Sequence, residues 1–476
     1  MTDVAVLGAT ACGVAAAVGA REGGAQVVLV EPGRHVGGMV SGGLSWTDVG
    51  DTRALGGFAR RFHVAVGEHY GVPLWGVRGP EPHVAEGLLR EALERAGVDL
   101  RLEEHVLPDA AVWVDASYEG DLLPPLGVPY AVGRESRTLH GERWAGRQPA
   151  YRPGKHNFAA VVSPFARDSS LLPHVRPPTL DEHGWPQEAL GEGDEGLQAY
   201  GFRLCLTDRP ENRLPLEPPP DYDPGEFALL DRYLDLVPDA PVGGFAPDLL
   251  PHGKCDVNSI GPFSLNVLDG SNRDYLHGDR GAVRAHHLRY TQAFCFHVAQ
   301  RRPELAVWGL CADEFEDTGG WPHQLYVRDA RRLLGAHVLT ERDLLDARPQ
   351  PDVVALGSYN IDIREVERTW RYLPEYERTP AVGNEGYLSV AVPPYPIPYR
   401  SLTPRREDAE NLLVPLCLSA SHVAFGSVRM EPTLMLLGHA AGLAAAQAAR
   451  RGVAVQDVDV DALQRDLREA GQVLAL

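Results

Sequence analysis

At 476 residues the chain is too long for a single hydrophobic core, so two domains are expected. A hydrophobic content of 44% and a charged content of 23% are ordinary values for a soluble globular enzyme. The net charge of −20 argues against nucleic acid and against anionic membrane surfaces as partners.

The chain opens on Met1-Thr2-Asp3 and runs straight into strand-like sequence, with no basic segment and no long apolar stretch of a secretory leader. Asp3 to Leu7 is an apolar run that breaks at Gly8-Ala9-Thr10-Ala11-Cys12-Gly13. An alanine-rich helical stretch from Gly13 to Glu22 follows, stopped by Gly23-Gly24, and a second apolar run from Gln26 to Val30 ends on Glu31. Strand, glycine turn, helix, strand and terminal acid make a βαβ unit with the acid at the spacing of a ribose contact. The physical basis is that a helix N-terminus offers unpaired amides and the positive end of its dipole, so a pyrophosphate sits there without a basic side chain. Gly8 permits the tight turn, Gly13 lets helix and strand pack closely, and Glu31 disfavours a 2′-phosphate. Thr10 stands where the strict fingerprint has its middle glycine, and its hydroxyl is a candidate donor to phosphate. This unit alone leaves NAD and FAD undecided.

The next segment distinguishes them. Glu31-Pro32-Gly33-Arg34-His35-Val36-Gly37-Gly38-Met39-Val40-Ser41-Gly42-Gly43 carries two Gly-Gly pairs just beyond the acid. It resembles the second cofactor signature of the large flavoprotein superfamily, in which such a loop runs along FAD. The cofactor candidates here are Gly8, Ala9, Thr10, Ala11, Cys12, Gly13, Glu31, Pro32, Gly37, Gly38, Met39, Ser41 and Gly42.

Pro82 to Ala96 reads as a helix with Val84, Leu88, Leu89 and Leu93 on one face, and Val98 to Leu102 as a strand. Ala111 to Asp115 is another apolar strand, running into a small-residue turn at Ala116-Ser117 that resembles the motif closing the first half of flavoprotein FAD domains. The short link between these strands contains Val106, a further cofactor candidate, and is too short for the three-stranded meander that many relatives insert there. From Arg134 to about Pro404 prolines cluster and the βαβ alternation stops. Interleaved aromatics there (Trp321, Tyr326, Tyr359, Trp370, Tyr372), with helices such as Ala282 to Arg301, point to an inserted folded domain.

The chain then returns to the cofactor. Asn411 to Leu418 reads as a buried strand, Ser419-Ala420-Ser421-His422 as a polar turn, and Leu434 to Arg450 as a helix rich in small residues, Gly438, Ala441 and Gly442 among them. This succession resembles the C-terminal FAD element of flavoproteins, where the helix start faces the flavin. Relatives mostly carry Gly-Asp after the strand; here Ser419-Ala420 occupies that place.

The runs GGMVSGGLSWTD (37–48), DASYEGD (115–121), GRESR (133–137), GSYNID (357–362), PYPIPYRSLTP (394–404) and LSASHVAFGSVRMEP (418–432), with a stretch around Trp308–Tyr326, are similar to the bacterial FAD-dependent oxidoreductase family. The resemblance covers nearly the whole chain in order. It implies an α/β fold: a Rossmann-like FAD-binding domain of glutathione-reductase type with a trimmed meander, carrying an inserted α+β substrate or cap domain. The expected boundaries are 1–133 and 405–476 for the FAD domain and 134–404 for the insertion. The implied cofactor is FAD. The resemblance names no substrate.

A flavin dehydrogenase needs a proton acceptor for the substrate and groups that fix it against the ring. The candidates are His422, whose ordinary pKa suits proton transfer near neutrality, Arg429 as a clamp for a carboxylate or for negative charge on the reduced ring, and Tyr399 and Arg400, with Tyr395, as a substrate wall. Packing on the prolines is the competing role for the tyrosines, and pairing with Glu431 or Asp48 the competing role for Arg429. His35, beside the Gly-Gly loop, is a candidate covalent tether. Cys12 is either an activated thiol at a helix N-terminus or a small residue filling a tight contact. His286-His287 lack metal spacing, and no metal is expected. The six cysteines (Cys12, Cys205, Cys255, Cys295, Cys311, Cys417) form no C-x-x-C pair, which fits reduced thiols and a cytoplasmic address. The expected reaction is hydride transfer from a small polar molecule to flavin N5. A monooxygenase reduced by NAD(P)H and a flavoprotein with structural FAD are the alternatives.

Overall fold

The computed structural model describes residues 2–150, 155–243, 248–373 and 378–476. The chain forms two compact units, one made of residues 1–132, 329–362 and 389–476, the other of 133–328 and 363–388.

The first unit is built on the expected βαβ start. Strand β1 (Thr2–Leu7) leads through the glycine turn to helix α1 (Ala11–Glu22) and strand β2 (Val27–Glu31). Helices α2 (Gly57–Tyr70) and α3 (Pro82–Ala96) follow, then strands β3 (Asp99–Leu102) and β4 (Ala110–Asp115). Near the C-terminus come strand β5 (Leu412–Leu413), helix α4 (His422–Val428) and helix α5 (Glu431–Arg451). The sheet is parallel, in the order β5-β4-β1-β2-β3. Its central strand β1 is apolar from Val4 to Leu7 and buried there, as a strand covered by helices must be.

Three expectations are corrected in this unit. The strand expected over Asn411–Leu418 pairs in the sheet only at Leu412 and Leu413, opposite Trp113 and Val114. Beyond them the backbone bonds elsewhere: the Val414 amide donates to the Leu402 carbonyl, the Ser419 amide to Ser401, and Cys417 accepts from Leu333. The polar turn expected around His422 is the start of a buried helix, α4, because Ser421 caps it by accepting from the Ala424 amide. Third, the chain rejoins this unit at Asp329 rather than after Pro404. The reason is pairing: Arg332–Leu333 pairs with Tyr130–Ala131, and Val353–Gly357 pairs with Tyr395–Pro398.

The second unit holds an antiparallel five-stranded sheet in the order 213–214, 309–311, 204–207, 254–257, 248–250, together with the helix Arg280–Arg301 and a hairpin of Glu367–Leu373 with Thr379–Glu385. Its interior carries ion pairs rather than apolar contacts alone: Arg134 with Glu385 at 2.6 Å, Arg203 with Asp256 at 2.6 Å and Lys254 with Glu314 at 2.7 Å. His286 meets Asp269 at 2.7 Å, and His287 lies 3.0 Å from the Ser271 hydroxyl. All six cysteines are buried and unbridged.

Candidate active site

The turn after β1 is a backbone cradle. Gly8 has φ +90°, and a Cβ there would stand 2.9 Å from the Ala116 carbonyl oxygen. A Cβ on Gly13 would stand 1.9 Å from the Gly8 carbonyl oxygen, so only glycine lets α1 start against this turn. Thr10 is the N-cap of α1: its hydroxyl accepts from the Gly13 amide at 3.1 Å and donates to the Ala116 carbonyl at 2.9 Å. That commitment corrects the expectation that Thr10 donates to phosphate. Ala11 and Cys12 instead open the helix with amides that an α-helix leaves unpaired, the arrangement an anion needs. Cys12 itself is fully buried, and burial, then the carboxyls of Glu431 and Asp115, hold its thiol up, so it fills space and is not activated.

The second glycine segment is tied to the first. The Gly37 amide donates to the Ala9 carbonyl at 2.7 Å. Glu31 at the end of β2 accepts from the Ala9 amide through Oε2 and from the Gly33 amide through Oε1, both at 2.7 Å. Burial pushes its carboxyl up while these two amides oppose the shift. Each oxygen keeps a second lone pair for a ribose hydroxyl. Pro32 beside it is exposed. Gly38, at φ +56°, leaves room for the Tyr118 ring, and the Ser41 hydroxyl donates to the Val36 carbonyl at 2.6 Å. The Gly42 amide donates to the Met39 carbonyl at 3.1 Å. His35 is held by Glu86 of α3 at 3.1 Å.

At the end of β4 the Ala116 amide donates to the Leu7 carbonyl at 2.9 Å. The Ser117 amide and hydroxyl both donate to Asp115, at 3.0 and 2.6 Å. Burial raises the Asp115 carboxyl to about 6 against those bonds. Val106 is 71% exposed in the link before β4.

Helix α5 packs on α1 through absent side chains. A Cβ on Gly438 would lie 2.1 Å from the Cys12 carbonyl oxygen, and one on Gly442 would lie 2.0 Å from that of Ala16. Both glycines therefore serve helix packing, and Ala441 is fully buried on the same helix. Ser419 is likewise committed, its hydroxyl accepting from the Gly335 amide at 3.1 Å.

Helix α4 gathers the other sequence runs. His422 opens it and Arg429 closes it, seven residues apart, which is two turns, about 10 Å along the axis and nearly the same face. His422 is 3% exposed, with Nδ1 3.1 Å from the Asp329 carboxylate. The Arg429 guanidinium donates to the Asp362 carbonyl at 2.8 Å and lies 4.0 Å from its carboxylate. Ser427 donates to the Tyr359 carbonyl at 2.6 Å and meets the Tyr395 hydroxyl at 2.7 Å. Tyr359 in turn bonds to Asp48; burial first, then Asp48 and Asp362, push its phenol up. Tyr399 and Arg400 are not part of this group. The Tyr399 hydroxyl donates to the Val455 carbonyl at 2.8 Å, and Arg400 pairs with Asp352 at 2.9 Å, so both brace the chain and the expected substrate wall is not there.

Sequence reasoning missed Asp329, Asp362 and Tyr118, and named Glu431 only as a partner for Arg429. Tyr118, Asp362 and Glu431 all sat inside runs already singled out. Asp329 carries no local signal.

The family model for "FAD dependent oxidoreductase" matches residues 3–110 and 107–467. The chain belongs to this family. It is an FAD-dependent oxidoreductase, and the α1 start presents unpaired amides and Glu31 free lone pairs of the kind an adenine dinucleotide needs. No curated protein matches. Among solved structures, Thermovibrio ammonificans THI4 is similar at 16% identity and a TM-score of 0.21, over 28% of this chain and 66% of that one. OxyS anhydrotetracycline hydroxylase from Streptomyces rimosus is similar at 17% and 0.20, over 29% and 39%. The myxobacterial chondrochloren halogenase CndH is similar at 15% and 0.19, over 24% and 37%. The oxidoreductase thus spans less than two thirds of each. Among its described residues no helix is long and apolar enough to cross a membrane.

Proposed function

We propose that this oxidoreductase oxidises a small polar molecule (a sugar, a hydroxy acid or an amine) with His422 as the proton acceptor. The observation that carries this is buried His422 at the start of α4, with Nδ1 3.1 Å from the buried Asp329 carboxylate. FAD, when bound, supplies N5 as the acceptor of the hydride leaving the substrate carbon. The protein's part is to take the proton from the substrate O–H or N–H. With Nδ1 facing Asp329, that proton goes to Nε2, and the carboxylate stabilises the imidazolium that forms. Arg429, fixed by Asp362, orients a carboxylate or hydroxyl of the substrate. All seven residues of α4 are buried, which keeps bulk water from competing for the proton. In this proposal the first unit is the cofactor domain, of glutathione-reductase type with a trimmed meander, and the second carries the loops that set substrate preference.

The test is anaerobic mixing of the FAD-loaded protein with polyols, hydroxy acids and amines, and separately with NADH and NADPH. Bleaching of the oxidised-flavin band by a member of the first panel supports the proposal. Bleaching by a reduced nicotinamide alone would replace it with a monooxygenase. Bleaching by neither would favour FAD as a structural element.

A further inference from the structure

Three segments of the cradle meet at one side chain that none of them contains. Glu431 is the first residue of α5 and is 5% exposed. Its Oε1 accepts from the Tyr118 hydroxyl at 2.7 Å, and that hydroxyl accepts from the Met39 amide at 2.9 Å. Cys12 of the first glycine turn is near enough for Glu431 to raise its thiol. The second carboxyl oxygen, Oε2, is buried and has no hydrogen-bond partner among the described residues. A buried carboxyl oxygen left without a donor is costly, which marks it as waiting for one.

The helices say where that donor comes from. Gly438 lies against Cys12 and Gly442 against Ala16, so α1 and α5 run parallel in close contact. Glu431 stands seven residues before Gly438, so α5 starts about 10 Å ahead of that contact, beyond the N-terminus of α1. A dinucleotide with its pyrophosphate on the α1 amides and its ring toward the α5 terminus must pass its connecting chain between the two helix starts. In FAD that chain is ribityl, a row of hydroxyl donors. The groups recorded around Glu431 are Tyr118, Met39 and Cys12, none of them cationic, so a hydroxyl rather than an anion matches Oε2.

We infer that Glu431 Oε2 accepts a hydrogen bond from a ribityl hydroxyl of FAD, making Glu431 the residue that selects a flavin dinucleotide over its adenine half. This rests on FAD being the cofactor. The test is titration of the full-length protein, freed of flavin, with FAD and with ADP, which shares the adenosine and pyrophosphate but lacks the ribityl chain. Glu431→Ala is expected to weaken FAD by about tenfold or more and ADP by less than about twofold. Glu431→Gln, which keeps the Oε1 acceptor for Tyr118, is expected to give a smaller loss with FAD and none with ADP, and it decides the matter should the alanine variant not fold. Equal weakening of FAD and ADP, or unchanged FAD affinity in a folded variant, would overturn the assignment. A wild-type protein that binds ADP but not FAD would instead overturn the cofactor reading beneath it.

Discussion

The cradle at the start of α1 and the segment around α4 are held by different means. In the cradle, glycines and backbone amides do the positioning: Gly13, Thr10 and Glu31 are hydrogen-bonded to one another or to Ala9, Ala116 and Gly33, and Gly8 lies close against Ala116. Around α4 the helix's own side chains are held by groups from far along the chain: the Asp329 carboxylate for His422, the Asp362 carbonyl for Arg429, and the Tyr359 carbonyl and Tyr395 hydroxyl for Ser427. Under the proposed function the difference follows from the tasks. A phosphate cradle needs fixed dipoles, which a short backbone motif provides by itself. Proton transfer needs a titratable group whose orientation is set by a second side chain, and nothing requires that partner to be nearby in sequence.

Changes on the cradle side should act on folding and cofactor retention, and changes around α4 on the rate of flavin reduction. The largest effect is expected at Gly438, where a side chain would collide with the Cys12 backbone at 2.1 Å. Gly438→Val should cost about 3 kcal/mol or more, read as a large fall in melting temperature or loss of soluble protein. A variant melting like wild type would show that α1 and α5 are not locked by that contact.

Glu431 gives a pH signature on the same side. Burial lifts its carboxyl from the ordinary 4.5 to about 7. In the flavin-free protein the folded state therefore holds a proton on Glu431 that the unfolded chain has released, and the contribution of this group to stability falls as pH rises from 4.5 through 7, then levels off. Glu431→Gln removes that dependence and should gain, relative to wild type, on the order of 2–3 kcal/mol between acid and alkaline ends of this window. Urea midpoints at both ends measure it, and parallel curves for the two proteins would refute the burial argument.

On the α4 side, Asp329→Asn should slow substrate-driven flavin reduction by about tenfold to a hundredfold while leaving FAD affinity alone. An equal loss of FAD would move Asp329 to the structural column and blur the division between the two regions. The smallest effect is expected from Glu31→Ala, a weakening of FAD by about tenfold with the reduction rate of the loaded enzyme unchanged. A variant retaining FAD as tightly as wild type would remove Glu31 from the ribose.

The same division explains what could be read in advance. The β1-α1-β2 unit and α3 were visible because their signals are local: glycines at a turn, an alanine run, an apolar period. The C-terminal segment was visible as small and buried, but not as what it forms. Cys417 and Ser419 leave the sheet because Leu333 and Ser401 offer them backbone partners, and those lie at a distance no local pattern reports. The small residues Gly438 and Gly442 were noticed, yet only the parallel seat of α5 on α1 shows that they admit a helix. Tyr399 and Arg400 looked available among prolines; their partners Val455 and Asp352 are again set by the fold. His422 was legible as a candidate, and Asp329, which orients it, was not.

Single-turnover reduction of the bound flavin under anaerobic conditions, comparing wild type with His422→Ala at equal FAD occupancy, tests the proton-acceptor role most directly. With the substrate that bleaches the wild-type flavin, the alanine variant should retain its FAD and reduce it about a hundredfold or more slowly. Reduction at the wild-type rate would remove His422 from the chemistry and leave the pair with Asp329 as a structural contact.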